Sequence, residues 1–249
     1  MPQPLSGQRV LVTGGTRGIG AATALALADA GAKVLVSART VPSDSPVPVI
    51  PADMSKHDEI DSLAQEVLAR LGGIDVVISN VGGQIRRSGV LQFSDEDWQQ
   101  ELNLNLLSAV RLDRALVPAM IAQRSGAIVH ISSGAARLAR PTSLPYSASK
   151  AALNAYSKGL ANELGAHGIR VNVVSPGFIS TSRIAELASE QGTDSESLTS
   201  QIAESLAIPL GRAGTAEEAA QLILFLVSPA ASYLTGSQFM IDGGTFPAV

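Results

Sequence analysis

Short apolar, β-branched runs recur along this chain at Arg9–Val12, Lys33–Ser37, Val47–Ile50, Asp75–Ser79, Ala127–Ile131 and Arg170–Val174, with a last one near Gln238–Ile241. Runs of this length, bounded by turn-forming residues, read as buried strands. The intervals carry the three-and-four spacing of amphipathic helices, at Glu59–Leu71, Asp95–Ile121, Tyr146–Leu164 and Glu217–Leu226. Ser55 with Asp58, Ser94 with Asp97, and Thr215 with Glu218 have the spacing of capping boxes at helix starts. Strand and helix alternate with no internal repeat and no linker. That predicts an α/β fold, a mainly parallel seven-stranded sheet with helices on both faces, in one domain over residues 1–249.

One interval breaks the alternation. Between the second and third strands, residues 40–48 carry Pro42, Pro46 and Pro48. Proline removes a helical hydrogen bond and biases its predecessor away from the helical region. The crossover helix expected there is therefore short or missing.

Composition narrows the function classes. With 45% hydrophobic residues, the chain can build a large core. A net charge of −4 gives no reason to expect a nucleic-acid partner, and no apolar stretch is long enough for a membrane span. The absence of cysteine excludes disulfides and thiol catalysis. The opening residues lack a basic segment followed by an apolar one, so a cytoplasmic protein is expected. No residues have metal-ligand spacing, and His130 reads as strand packing.

Two motifs carry candidate chemistry. Tyr146 and Lys150 lie four apart on a predicted helix, so an ammonium can sit near a phenol. A free tyrosine has a pKa near ~10 and exchanges protons poorly at neutral pH. A fixed positive charge beside it favours the phenolate and brings it toward the working range. The second motif is Thr13-Gly14-Gly15-Thr16-Arg17-Gly18-Ile19-Gly20, between an apolar strand and an alanine-rich helix. Glycines permit close backbone approach, and a helix start offers free N–H groups and partial positive charge, which suits a dinucleotide pyrophosphate.

Together these motifs resemble the short-chain dehydrogenase/reductase family, and the likeness spans essentially the whole chain. Asn80-Val81-Gly82, Asn105, Ser133, Pro176-Gly177 with Thr181, and Ile241-Asp242-Gly243-Gly244 stand in the family's order. The family's Asn-Asn-Ala-Gly segment reads Ser79-Asn80-Val81-Gly82 here, which puts valine bulk beside the cofactor. The resemblance implies a Rossmann-type doubly wound domain that transfers a hydride between NADP(H) and a carbonyl or alcohol substrate. Tyr146 is then the proton donor, Lys150 its modulator, Ser133 a donor to the substrate oxygen, and Asn105 the residue that interrupts its helix and holds a relay water. The cofactor is expected against Gly14, Thr16, Arg17, Gly18, Ile19, Gly20, Arg39, Asp53, Met54, Asn80, Gly82, Tyr146, Lys150, Pro176, Gly177, Ile179 and Thr181. The family usually forms homotetramers, and the tail from Phe246 to Val249 is expected at such an interface. Alternatives on the same scaffold are an epimerase or dehydratase, or a non-catalytic NAD(P)-binding sensor.

Three further expectations follow. The stretch 179–207 forms a helical lid over the substrate. Arg86, Arg87, Arg137 and Arg140 lie in loops at the carboxyl ends of strands, where basic clustering attracts an anionic or carrier-bound substrate. NADP(H) is favoured over NAD(H), because the second strand ends in Ser37-Ala38-Arg39-Thr40 with no acid to accept from a ribose hydroxyl. Arg17 and Arg39 can instead clamp a 2′-phosphate. Exchanging Arg39→Asp is expected to narrow or reverse the NADPH preference, read as the ratio of the two cofactor affinities in a fluorescence titration. An unchanged ratio removes Arg39 from the clamp.

Overall fold

The computed structural model describes residues 3–246, the Arg183 side chain excepted. The first half runs β1 (Arg9–Thr13), α1 (Gly18–Asp29), β2 (Lys33–Ala38), β3 (Val49–Pro51), α2 (His57–Leu71), β4 (Val76–Ser79), α3 (Asp95–Leu102) and α4 (Ser108–Gln123). The second half runs β5 (Gly126–Ile131), α5 (Leu144–Leu164), β6 (Ile169–Pro176), β7 (Ile179–Ser180), α6 (Ser182–Glu190), α7 (Ser195–Ser205), β8 (Gly214–Thr215), α8 (Ala216–Val227) and β9 (Gln238–Ile241). The main sheet has seven parallel strands in the order β3-β2-β1-β4-β5-β6-β9. Among the described residues no helix is long and apolar enough to cross a membrane.

Strand periodicity divides the core into two layers. Leu11, Val77 and Ile128 point to one face, where α2, α4 and α5 supply Leu63, Leu112, Leu116 and Leu164. Their neighbours Val10, Val12, Ile78 and Val129 point to the other face, against Leu27 of α1 and Ile223 of α8. Both faces of the sheet are covered, which is why its strands read as continuous apolar runs. Strand order reverses between β1 and β4, so the loops after these two strands part and leave a crevice.

The proline-rich interval between β2 and β3 holds no helix, as its prolines predict. Ser94–Asp97 and Thr215–Glu218 form complete capping boxes. The expected Ser55–Asp58 box does not form. Helix α2 starts at His57 after Lys56, and Ser55 is held by Asp53, whose Oδ1 accepts from its N–H at 2.9 Å and its hydroxyl at 2.8 Å. Periodicity predicts one helix over Asp95–Ile121 and the resemblance implies an interruption at Asn105; the structure has a break there. A π-helical turn over Asn103–Leu107 separates α3 from α4. Its cause is local: the Asn105 amide donates to the Glu101 carbonyl at 3.1 Å, competing for the acceptor of the regular ladder.

His130 does more than pack. Buried in β5, its Nδ1 lies 2.7 Å from Ser157 Oγ and its Nε2 3.1 Å from Asp113, which also accepts from Tyr156 at 2.9 Å. This polar knot ties α4 and α5 to the middle of the sheet. It fixes the helix that carries Tyr146 and Lys150.

Candidate active site

The glycine turn after β1 is shaped by what cannot be placed there. Gly14 and Gly18 have φ of +63° and +54°, which side chains other than glycine rarely adopt. A Cβ at Gly20 would stand 2.2 Å from the Gly14 carbonyl oxygen and 2.6 Å from Asn80 Nδ2. The turn is also bonded across the crevice. Thr13 Oγ1 accepts from the N–H groups of Asn80 and Val81 at 3.0 and 3.2 Å, while Asn80 Nδ2 donates to the carbonyls of Thr13 and Gly14. Val81 fits by lying against Gly14, its Cγ2 3.1 Å from a Cβ built there.

Helix α1 begins at Gly18 with no side-chain cap and no acid in its first turn, so its leading N–H groups keep their capacity to bind an anion. Arg17 and Arg39 are exposed on the same cleft. Asp53 is held below its ordinary range, chiefly by the Ser55 N–H, with Lys56 and Arg39 adding positive charge. Close-approach glycines, helix N–H groups without a side-chain cap and two exposed guanidiniums fit a dinucleotide carrying an extra phosphate.

The acid/base candidates cluster behind this cleft. Tyr146 and Lys150 occupy the first two turns of α5, with Lys150 Nζ 6.0 Å from the Tyr146 ring centre and donating to Ile131 O at 2.8 Å. A Cβ on Gly82 would lie 2.9 Å from Asn105 Oδ1 and 3.2 Å from Lys150 Nζ, so both groups border that glycine. Asn105 is buried, and its Oδ1 accepts from Gly83 N at 3.1 Å while its amide donates to Gly83 O at 2.9 Å. Ser133 hydrogen bonds to Tyr146, and its Oγ accepts from Ala135 N at 3.1 Å.

The expected lowering of the phenol is not what the site has without ligands. Burial pushes Tyr146 up, the nearby Glu101 charge adds to this, and the Ser133 hydrogen bond only opposes it. Burial pushes Lys150 down to about 8, with Glu101 acting the other way. Sequence reasoning missed Glu101. It is 2% exposed, and its position one helical turn before Asn105 was the available signal.

The cleft, of about 2120 Å³, is lined by Gly14, Thr16, Arg17, Gly18, Ile19, Arg39, Asp53, Met54, Asn80, Gly82 and Thr181 from the expected set. Gly20 is buried beneath the turn. Pro176, Gly177, Ile179, Tyr146 and Lys150 stand outside the lining. Gly177 lies against Asp242, 2.6 Å from its Cβ to a Cβ built on the glycine, and Ile179 packs on Gly214 where β7 pairs with β8. Of the four rim arginines, Arg86 and Arg140 line the cleft. Arg87 is instead bonded to Asp97 at 2.6 and 3.0 Å, and Arg137 to Gln238 at 3.2 Å. Helices α6 and α7 turn Ile184, Leu187, Leu198 and Ile202 to the cleft. Phe246 lies over Gly134 of its own chain, while Pro247, Ala248 and Val249 fall outside the described residues.

A family model described as enoyl-(acyl carrier protein) reductase matches residues 14–245. The chain belongs to the short-chain dehydrogenase/reductase family. It is an oxidoreductase. The 3-oxoacyl-[acyl-carrier-protein] reductase of a Synechocystis species is 37% identical to it, over 96% of this chain and 97% of the relative. The corresponding protein of Thermotoga maritima is 38% identical over 96% and 98%. Among solved structures, L-sorbose reductase of Gluconobacter frateurii, complexed with NADPH and L-sorbose, superposes with a TM-score of 0.91 at 32% identity, over 100% of both chains. Ligand-free aldohexose dehydrogenase of Thermoplasma acidophilum gives 0.91 at 27% identity, over 100% of this chain and 99% of that one.

In this oxidoreductase the Gly20–Gly14 contact is testable. Gly20→Ala forces a methyl onto a backbone carbonyl, so nicotinamide-cofactor affinity is expected to fall at least about tenfold, the equivalent of ~1.4 kcal/mol. Gly159→Ala meets nothing within 4 Å and serves as the control, with affinity and Tm retained. Fluorescence titration and thermal melting read both.

Proposed function

We propose that this reductase uses NADPH to reduce the 3-keto group of acyl thioesters presented on an acidic carrier. The observation that carries the reading is the make-up of the cleft. Its lid wall is apolar, with Phe178, Ile184, Leu187, Leu198, Ile202 and Leu206, and its rim carries Arg140, whose side chain has no partner among the described residues, and Arg86, bonded there to Gln84. An acyl chain suits the first and an anionic carrier the second. The named activity of the Synechocystis and Thermotoga relatives supports it. The whole chain then acts as one dinucleotide-binding and catalytic domain, with 179–207 as its lid. A cytoplasmic homotetramer belongs to the same proposal.

Gly14, Thr16, Gly18, Ile19 and the α1 start would hold the pyrophosphate, Arg17 and Arg39 the extra phosphate, and Asp53 with Met54 the adenine. Bound NADPH supplies a hydride to the carbonyl carbon. Ser133 and Tyr146 donate hydrogen bonds to the carbonyl oxygen, and Tyr146 gives up its proton as negative charge develops there. Burial suits that role, because it keeps the phenol loaded at neutral pH. The phenolate left behind is stabilised by the Lys150 ammonium. Asn105, bonded through its side chain to Gly83, holds the wall in front of Lys150 through which a proton returns.

A second reading is favoured by Gln84, Gln99, Gln100 and Gln191 in the same cleft, whose amides suit a polyhydroxylated substrate. NADPH oxidation with a 3-oxoacyl thioester, a 2-enoyl thioester and a ketose separates the cases. Turnover of the first alone supports the proposal, of the second the activity named by the family model, and of the ketose the sugar reading. Tight NADPH binding without turnover of any of them points to a sensor. Tyr146→Phe is expected to reduce kcat by roughly 100- to 10,000-fold, and retained activity overturns the assignment. Lys150 is charged below about 8 and neutral above it, so kcat/KM for reduction is expected to hold at neutral pH and fall through that value. Lys150→Arg, whose charge persists, is expected to be slow but to lack this limb.

A further inference from the structure

Glu101 lies outside the set of residues that the resemblance brought, yet it is a carboxylate inside the protein at the edge of the proton-transfer group. One oxygen accepts from the backbone N–H of Ile85, and the other from the Asn105 amide at 2.5 Å. Burial pushes this carboxyl upward, while the Ile85 N–H, the Asn105 amide and the Lys150 charge act to keep it ionised; both oxygens serve as acceptors, as in the ionised form. The charged and titratable groups that face it are Lys150 and Tyr146 from α5, and Asp97 from its own helix, which is itself paired with Arg87. Lys150 is buried and donates to a neutral acceptor, Ile131 O. Asn105 stands between the two: its amide nitrogen is on Glu101, and its Oδ1 and Lys150 Nζ both flank the position of a Cβ on Gly82.

Burying an ammonium away from any negative charge drives off its proton. We propose that Glu101 is a positioning residue of the proton-transfer site: its carboxylate orients the Asn105 amide and supplies the counter-charge that keeps buried Lys150 an ammonium beside Tyr146. This rests on Tyr146 and Lys150 being the proton-transfer pair. A negative charge here holds protons on both, so its removal moves both titrations to lower pH. A role confined to packing or to capping Ile85 changes stability and leaves the titrations in place.

The experiment compares wild type with E101Q, E101D and Y146F. In the ligand-free protein, phenolate absorbance is followed against pH, and subtracting the Y146F trace isolates Tyr146 from Tyr156 and Tyr233. In the working enzyme, the pH profile of kcat/KM is recorded with NADPH and the best thioester or ketone. E101Q is expected to move the Tyr146 titration and the high-pH limb acidward by about one unit or more, the size of effect that removing a nearby charge produces. E101D, which keeps the charge, is expected to stay near wild type. Where E101Q does not fold, E101M removes the charge with an apolar side chain of similar length and is read in the same two ways. Titration and limb at their wild-type positions in the neutral variant overturn the role of Glu101. Y146F with wild-type turnover overturns the functional reading itself, so the two failures are distinct.

Discussion

The carbonyl of Gly14 occupies the place where a side chain on residue 20 would stand, and most of the site depends on that contact. It brings the start of α1 under the turn after β1, so that helix N–H groups point into the crevice. It also leaves the Gly14 carbonyl within 3.2 Å of the Asn80 amide, which belongs to the loop on the far side of the strand-order reversal. Thr13 completes the link by accepting from Asn80 and Val81 with one hydroxyl. The two loops that flank the crevice are thus one hydrogen-bonded unit, and Gly82 is held directly against Asn105 and Lys150.

From there the site is governed by burial. A phenol and an ammonium inside a protein are both pushed toward their neutral forms, because the interior solvates charge poorly. For Tyr146 this retains a proton, and for Lys150 it threatens to lose one. The two demands are reconciled only by a third charge, and Glu101 stands where it acts on both. The polar knot of His130, Asp113, Tyr156 and Ser157 keeps α5 seated on the sheet, so the first two turns of that helix present their groups at a fixed depth.

Most of the fold was legible in the sequence because strands covered on both faces are written as unbroken β-branched runs, and because prolines mark the missing crossover helix. Capping boxes at Ser94 and Thr215 were legible for the same local reason. Ser55 was not, since a nearby aspartate can capture a serine without any change in spacing. The π-helical turn left no trace in hydrophobic periodicity, because one extra residue in a turn shifts the apolar stripe only slightly. At the site, glycine spacing and the Tyr146–Lys150 pair pointed to the right elements. Arg86 and Arg87 are adjacent and look alike in sequence, yet one faces the cleft and the other is bound to Asp97. Glu101 on a helix looks like a solvated acid until its neighbours on α5 and the loop after β4 are known.

The bonds around α3 have a mechanical consequence. This helix and the π-helical turn hold the loop after β4 at three separate points: Asp97 on Arg87, Glu101 on Ile85 and Asn105 on Gly83. The loop also leans on the start of α5 through Arg87 N and Thr142 O, 3.1 Å apart. That side of the cleft is a fixed jaw. Helices α6 and α7 share a small apolar cluster, flanked by the two-residue ladder of β7 with β8 and by the Leu210 N–H on the Gly243 carbonyl at 3.2 Å. In the proposed lid reading, substrate entry and product exit fall to α6 and α7, which face this bonded surface across the cleft.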